Sequence, residues 1–256
     1  MVDISRKQLG LKLGSKPLKY GALDLEKYIA DPTIVVPSTL ARPADATGYQ
    51  YGMLDNDTYG DCVAAAAYHM QETFRLKENI QPHPWLAATC LAWYFAVNQV
   101  PPGPPGSSSD QGTDPSTAMQ YWQTTGLPGH KLAGFGALQS NSANIKRAIW
   151  EFGAVMFAVA LPVTAQSQGV HWRYVTNSGD GSPGSWGGHG ICGDSFTEDL
   201  LGFISWGEQG DMDNEFWATY GEQILVPLSV DQISKGGVGP AGFDFSAMQK
   251  DLPTLS

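Results

Sequence analysis

After Cys62 the apolar positions Val63, Ala66, Ala67, Met70 and Phe74 recur at i, i+3, i+4, i+7 and i+11, which sets one apolar stripe along a helix of about four turns. Asp61 stands where an N-cap belongs. Pro84 to Val97 is strongly apolar and predicts a second, buried helix. Asp114-Pro115 joins a capping side chain to a proline suited to the first helical position, and Gly126 suits the far end, so 115–125 reads as a short helix. Asn141 to Phe152 repeats the pattern with Ile145, Ala148, Ile149 and Phe152 on one face. Gly153 ends that helix, and AVMFAVALP follows as the continuous apolar run of a buried strand. From His171 onward short runs (HWRYVT, HGICGDSF, LLGFISW, EFWATY) alternate with Gly, Asn and Asp turns, the pattern of a twisted antiparallel sheet or half-barrel. Helices therefore come first and strands afterwards, an α+β chain of two lobes.

The segments between these elements fix the layout. Val35 to Asn56 is extended and turn-rich, because Pro37 and Pro43 restrict their predecessors and Gly48 and Gly52 interrupt any helix. PPGPPGSSSDQG (residues 101–112) is a long loop that could line a cleft. Residues 1–36 carry six of the 15 basic residues in a broken apolar pattern, so they are expected to form an extension on the surface or against a partner instead of a core element. The resulting division is an N-terminal extension, 1–36; a main domain, 37–235, helical over about 56–152 and strand-rich over about 153–235; and a C-terminal tail, 236–256. The N-terminus has no apolar h-region, and the run Phe152 to Val163 is too short to cross a bilayer. The expectation is a protein without signal peptide or transmembrane segment, cytoplasmic or virion-associated.

Composition narrows the chemistry. With 15 Lys and Arg against 25 Asp and Glu the formal charge is 15 − 25 = −10, which repels phosphate backbones and excludes nucleic acid as the expected partner. Three cysteines at long spacings, Cys62, Cys90 and Cys192, make neither a disulfide scaffold nor a CxxC zinc pair. Cys62 is different from the others because it opens a helix, where unpaired N–H groups and the macrodipole favour a thiolate. His189, in GSWGGHGIC (residues 184–192), supplies the base that a thiolate nucleophile needs. Cys192 follows three residues later, but on a strand the two side chains point to opposite faces, so a shared metal site is not expected. Cys90 reads as core. His69, His83, His130 and His171 read as surface or satisfied residues. Asp211, Asp213 and Glu215 lack EF-hand spacing and read as a solvated turn. GDGSPGSWGG has no following Lys-Ser/Thr and reads as a flexible rim beside His189, not a phosphate loop. The expected metal and cofactor complement is none. Trp172, Trp186, Trp206 and Trp217 are placed in core by default.

The residues Asn56-Asp-Thr-Tyr-Gly60-Asp-Cys62-Val-Ala-Ala resemble the nucleophile segment of papain-like cysteine peptidases, in which Gln stands six residues before Cys and Gly two before it; Asn56 and Gly60 occupy those positions. Downstream, GGHGICGDSFTEDLLGFISWGEQGDMDNEFWATY is similar to the second half of the family: a Gly-preceded His on a strand, then Ser205-Trp206-Gly207 at the end of the next. NIKRAIWEFGAVMFAVALP resembles the helix and strand between them. The likeness covers about residues 37–228 and implies a papain-like fold with its cleft between the helical and strand-rich lobes. It implies Cys62 as nucleophile, the Cys62 backbone N–H and the Asn56 side chain as oxyanion hole, His189 as acid and base, and Trp206 as a shield for the imidazole. The implied partner is a peptide or protein substrate.

Two departures matter. The family's His-orienting Asn directly precedes Ser-Trp-Gly, and here Ile204 stands in that position, unable to donate or accept a hydrogen bond. Ser205 is the nearest hydroxyl that could turn inward, although strand alternation sends it to the face opposite Ile204. The Cys-Gly-[Ser/Ala]-Cys-[Trp/Tyr] signature also fails, at Tyr59 and Val63. The sequence thus supports a thiol peptidase acting through Cys62 and His189, and alternatively a papain-fold structural or binding protein with little catalysis, such as a phage virion component, whose two extensions clasp assembly partners.

Overall fold

The computed structural model describes residues 23–29, 35–80, 82, 84–138 and 141–230. Leu23–Asp24 forms strand β1 and Glu26–Ile29 one helical turn, α1; Pro43–Thr47 is α2. Cys62–Lys77 is α3, Ala87–Val97 α4 and Pro115–Thr124 α5. Leu132–Leu138 forms β2, Ser142–Phe152 α6, Val155–Leu161 β3 and His171–Trp172 β4. Gly187–Phe196 is β5, Leu200–Ser205 β6, Glu208–Asp213 β7, Asn214–Tyr220 α7 and Gly221–Ser229 β8.

Among the described residues the strands form one eight-stranded sheet in the order β1-β2-β8-β3-β5-β6-β7-β4. Its pairs are antiparallel apart from the two edges, where β1 runs parallel to β2 and β4 parallel to β7. The apolar run after Gly153 shows why the sheet is covered on both sides. Ala154, Met156 and Ala158 join the core beneath α3, α4 and α5, whereas Val155, Phe157 and Val159 join the core with α1, α6 and α7. Alternating side chains of one strand thus feed two cores, and a strand buried on both faces reads as unbroken hydrophobicity.

Several expectations are corrected. EFWATY is helix α7, because the Asp213 side chain accepts the Phe216 N–H at 2.6 Å and caps it, and the adjacent Phe216 and Trp217 are both buried, which a one-face-buried strand does not allow. Of HWRYVT only His171–Trp172 is strand. β2 lies inside the stretch expected to be helical; its LAGFGAL sequence carries no helical period, and it pairs along β8. Leu23, Leu25 and Ile29, assigned to a surface extension, are buried in the core with α6. Residues 1–22 and 30–34 of the expected N-terminal extension and the whole expected C-terminal tail, 236–256, lie outside the described residues, as does His83. Among the described residues no helix is long and apolar enough to cross a membrane.

Candidate active site

Helix α3 is buried along 14 of its 16 residues, so it is a central helix and not the one-striped surface helix its spacing suggests; the run Cys62-Val-Ala-Ala-Ala-Ala is small enough for close approach on every side. Its first turn meets β5 at Gly190, where a Cβ would come within 3.0 Å of Val63 Cγ2 and 3.3 Å of Val63 Cα. The absent side chain lets the helix start approach the strand, and the Gly190 N–H donates to Cys62 Sγ at 3.3 Å. Cys62 is the first helical residue, and intrahelical bonding begins with Ala65 N–H to Asp61 O at 2.9 Å. The N–H groups of the first turn, that of Cys62 included, are therefore not consumed by the helix.

His189 immediately precedes Gly190 on β5 and lies opposite Val159 of β3. Its ring stacks on Trp206, with centroids 4.3 Å apart and planes at 19°, and meets the edge of Trp172 at 6.4 Å. Its Nε2 hydrogen-bonds Ser205 Oγ at 2.7 Å. Both contacts come from one turn. Trp206 and Gly207 link β6 to β7 with φ of 54° and 73°, the left-handed pair that a two-residue hairpin requires. Gly207 also sits where a Cβ would lie 2.9 Å from Met53 N. A tryptophan in this region costs on the order of 1 to 3 kcal/mol, and stacking on His189 offsets that strain. Ile204, opposite Cys192 in register, faces the other core among the residues packed on α3. Alternation therefore works as expected: position 204 is turned away from His189, and Ser205 makes the contact.

Asn56 reaches the same region from a strained turn. Leu54 and Asp55 precede it with φ of 60° and 64°, two successive non-glycine residues in the left-handed region. The Asn56 side chain is buried and its Nδ2 donates to Asp61 Oδ1 at 3.1 Å. Asp61 occupies the N-cap position of α3 but makes no side-chain cap bond, because its φ of −98° and ψ of 17° depart from the extended conformation that aims a cap. Its second carboxyl oxygen accepts the Cys90 thiol at 3.7 Å. Burial pushes the Asp61 carboxyl well above its ordinary range, and burial does the same to the Cys90 thiol. Cys90 is in the core, as its sequence suggests, and also serves as a donor there.

A fourth buried residue was not found from the sequence. Asp110, in the long Pro/Gly/Ser loop, accepts the Gly60 N–H at 2.9 Å, the Tyr94 hydroxyl at 2.9 Å and the Gly106 N–H at 2.8 Å. It ties the loop to the turn two residues before Cys62. An acidic residue among loop serines and glycines gives no periodic signal, and only the fold brings it to Gly60. The rim expected to be flexible is also tied down: Gly184 and Trp186 donate to Ala160 O and Leu161 O at 3.0 Å each, and the Tyr220 hydroxyl donates to Gly181 O at 3.0 Å.

Cys62 and His189 are fully enclosed, with Trp206 at 1% and Ser205 at 3% exposure. A cleft of about 490 Å³ opens beside the Trp206-Gly207 turn, lined by Ala44, Asp45, Tyr49, Tyr51, Glu208 and Gln209. The acidic residues further along are accounted for by local pairing. Asp213 caps α7, and Asp211 meets Arg173 at 2.6 Å and His171 at 2.8 Å. Burial works against ionisation of Asp211, but the hydrogen bonds from Arg173 and His171 outweigh it and hold the carboxyl below its ordinary value. His69 is buried, with Nε2 2.8 Å from Gly52 O. Cys192 faces the α3 side of the sheet and His189 the tryptophan side; among the described residues no three His, Cys, Asp or Glu side chains converge as a metal site.

No family model and no curated protein matches the sequence. Solved structures do match in fold. Xylellain, a cysteine protease from Xylella fastidiosa, superposes with a TM-score of 0.64 at 10% identity, over 88% of this chain and 97% of its own. A procathepsin B from Trypanosoma congolense gives 0.60 at 9% identity, covering 89% and 88%. A cysteine protease from Carica candamarcensis, solved with E-64, gives 0.53 at 13% identity, covering 75% and 99%. The chain has the α+β fold of papain-like cysteine proteases.

Proposed function

We propose that this protein is a thiol hydrolase of papain-like architecture, cleaving peptide or other amide bonds through Cys62 and His189. The observation that carries the reading is the joint between α3 and β5. There a thiol at a helix start receives the Gly190 N–H at 3.3 Å, while the next residue back on the strand, His189, is fixed through Nε2 by Ser205 and through its ring by Trp206. The helix start and the Gly190 amide both turn positive partial charge toward the sulfur. In this reading Ser205 holds Nε2 and Nδ1 exchanges a proton with the thiol.

In the proposed reaction the Cys62 thiolate attacks the substrate carbonyl carbon and forms a tetrahedral oxyanion, which the Cys62 N–H and the Asn56 carboxamide stabilise. Collapse breaks the C–N bond, and the amine leaves with a proton from the His189 imidazolium, giving a thioester. Water, deprotonated by His189, then attacks the thioester; the carboxylate product leaves, and thiolate and imidazolium are restored. Ser205 takes the orienting place that Ile204 cannot fill. A hydroxyl accepts from Nε2–H as a carboxamide oxygen does, but it can also donate, so it holds the ring without dictating the tautomer. Hydrolysis of denatured casein and fluorogenic peptide amides tests this reading. Cys62→Ala is expected to remove all turnover, and activity surviving that substitution overturns the mechanism.

A second reading is favoured by one observation, the complete enclosure of Cys62 and His189. It takes the protein as a structural component, for example of a virion, that keeps the fold and not the chemistry. Wild-type protein without hydrolysis, whose Cys62 reacts no differently when His189 is replaced, favours this reading over the first.

A further inference from the structure

We propose that Asp61 is a positioning residue for the oxyanion hole, holding the Asn56 carboxamide with its NH2 end toward the nucleophile's helix; this rests on the hydrolase reading above. Three observations on separate parts of the site support it. Asp61 stands at the N-cap of α3 and makes no side-chain cap bond, forgoing the stabilisation a capping carboxylate gives. Its carboxyl instead lies in the interior, accepting Asn56 Nδ2 at 3.1 Å and the Cys90 thiol at 3.7 Å. The turn that delivers Asn56 is held in two successive left-handed residues, Leu54 and Asp55.

The need follows from the length of the side chain. Asn is one methylene shorter than the Gln found at this place in the resembled family, so its reach and its orientation both have to be set. A carboxamide also has two nearly isosteric ends. With NH2 toward the substrate it donates to the oxyanion; flipped, its carbonyl repels the same charge. Asp61 Oδ1 accepts from Asn56 Nδ2 whether the carboxyl is ionised or carries its proton on Oδ2, so this contact selects the NH2 end and leaves the second N–H of that group for substrate. Cys90 holds the other carboxyl oxygen and fixes the plane of the carboxyl.

The test separates chemistry that builds an oxyanion from chemistry that does not. Acylation of Cys62 by 4-nitrophenyl acetate passes through a tetrahedral oxyanion, whereas alkylation by iodoacetamide is a displacement at saturated carbon and needs only the thiolate. Both rates are followed at Cys62 by peptide mass spectrometry. Asp61→Ala is expected to slow acylation by about tenfold or more and to leave alkylation within about twofold. Asp61→Asn, which keeps an acceptor oxygen, is expected to restore most of the acylation rate. Asn56→Ala slows acylation at least as much, and the Asn56→Ala/Asp61→Ala double variant is no slower than Asn56→Ala alone, because Asp61 acts through Asn56. Wild-type acylation rates in Asp61→Ala, a parallel fall of acylation and alkylation, or multiplying effects in the double variant overturn the inference while leaving the hydrolase reading intact. Wild-type Cys62 that reacts with neither reagent in a His189-dependent way overturns the hydrolase reading itself, and this inference with it.

Discussion

The two ends of helix α3 meet the same strand and are both buried among ionisable groups, yet they are built differently. At the far end Lys77 Nζ donates to Gly153 O and, at 3.0 Å, to Asp194 O; Asp194 accepts the Ser195 hydroxyl at 2.8 Å; and Glu72 accepts the Tyr49 hydroxyl. Burial drives these groups away from their ordinary ionisation, Glu72 up to about 8 and Lys77 down to about 8, against the attraction of Asp194. At the near end the Gly190 N–H donates to the Cys62 sulfur, while His189, the residue before Gly190, is held by Ser205 and Asn56 donates to Asp61, the residue before Cys62. Perturbed ionisation is found at both ends and so does not mark the site. What distinguishes the near end is a thiol at a helix start that accepts a strand N–H, while at the far end Lys77 donates to two backbone carbonyls and the carboxyls of Glu72 and Asp194 accept neighbouring hydroxyls.

If the far end is structural, Glu72→Gln changes stability and not reactivity. The folded carboxyl is held near 8, above an unfolded value of about 4.3, so the folded state keeps a proton that the unfolded state has lost. Wild-type stability from this group is complete below the unfolded value and is lost as pH rises toward 8. Glu72→Gln removes that loss, and chemical denaturation is expected to show the variant gaining about 2 kcal/mol on wild type between pH 5 and pH 7. A constant difference across that range means Glu72 is not buried in its neutral form. His69, held down at about 4 by burial one turn away, works in the opposite sense, losing stability as pH falls from about 6.5 toward 4; its contribution is common to both proteins and cancels in the difference.

The near end is expected to respond in the opposite manner. Ser205→Ala removes the hydrogen bond to His189 Nε2 and should lower kcat/KM for peptide hydrolysis by about tenfold, roughly 1.4 kcal/mol in the barrier, with little change in denaturation midpoint. A variant as active as wild type would remove Ser205 from the orienting role and make the Trp206 stack sufficient to hold the ring.

The division of the fold was legible where periodicity was strong. Val63, Ala66, Ala67, Met70 and Phe74 marked α3, and the unbroken run after Gly153 marked β3. Asp114 and Asn141 capped the helices they were expected to cap, accepting from Thr117 N and Asn144 N. Reading failed where one cue carried two meanings. Asp61 looks like a cap but its side chain accepts from Asn56 instead, and EFWATY looks like a strand but is started as a helix by Asp213. Ser205 was visible as a candidate beside Ile204, and alternation foretold that the two part company. Asp110 and the contact of Gly190 with Cys62 depend on chain segments 50 and 128 residues apart, and no local pattern encodes them.

Whether Cys62 and His189 act as a pair is decided by the alkylation rate of Cys62 against pH, in wild type and in His189→Ala. The reacting species is the thiolate. A working pair labels rapidly well below about pH 8.5, the pKa of an unperturbed thiol, and loses that advantage in His189→Ala. Slow labelling that follows an ordinary thiol profile and is unchanged by the His189 substitution would contradict it.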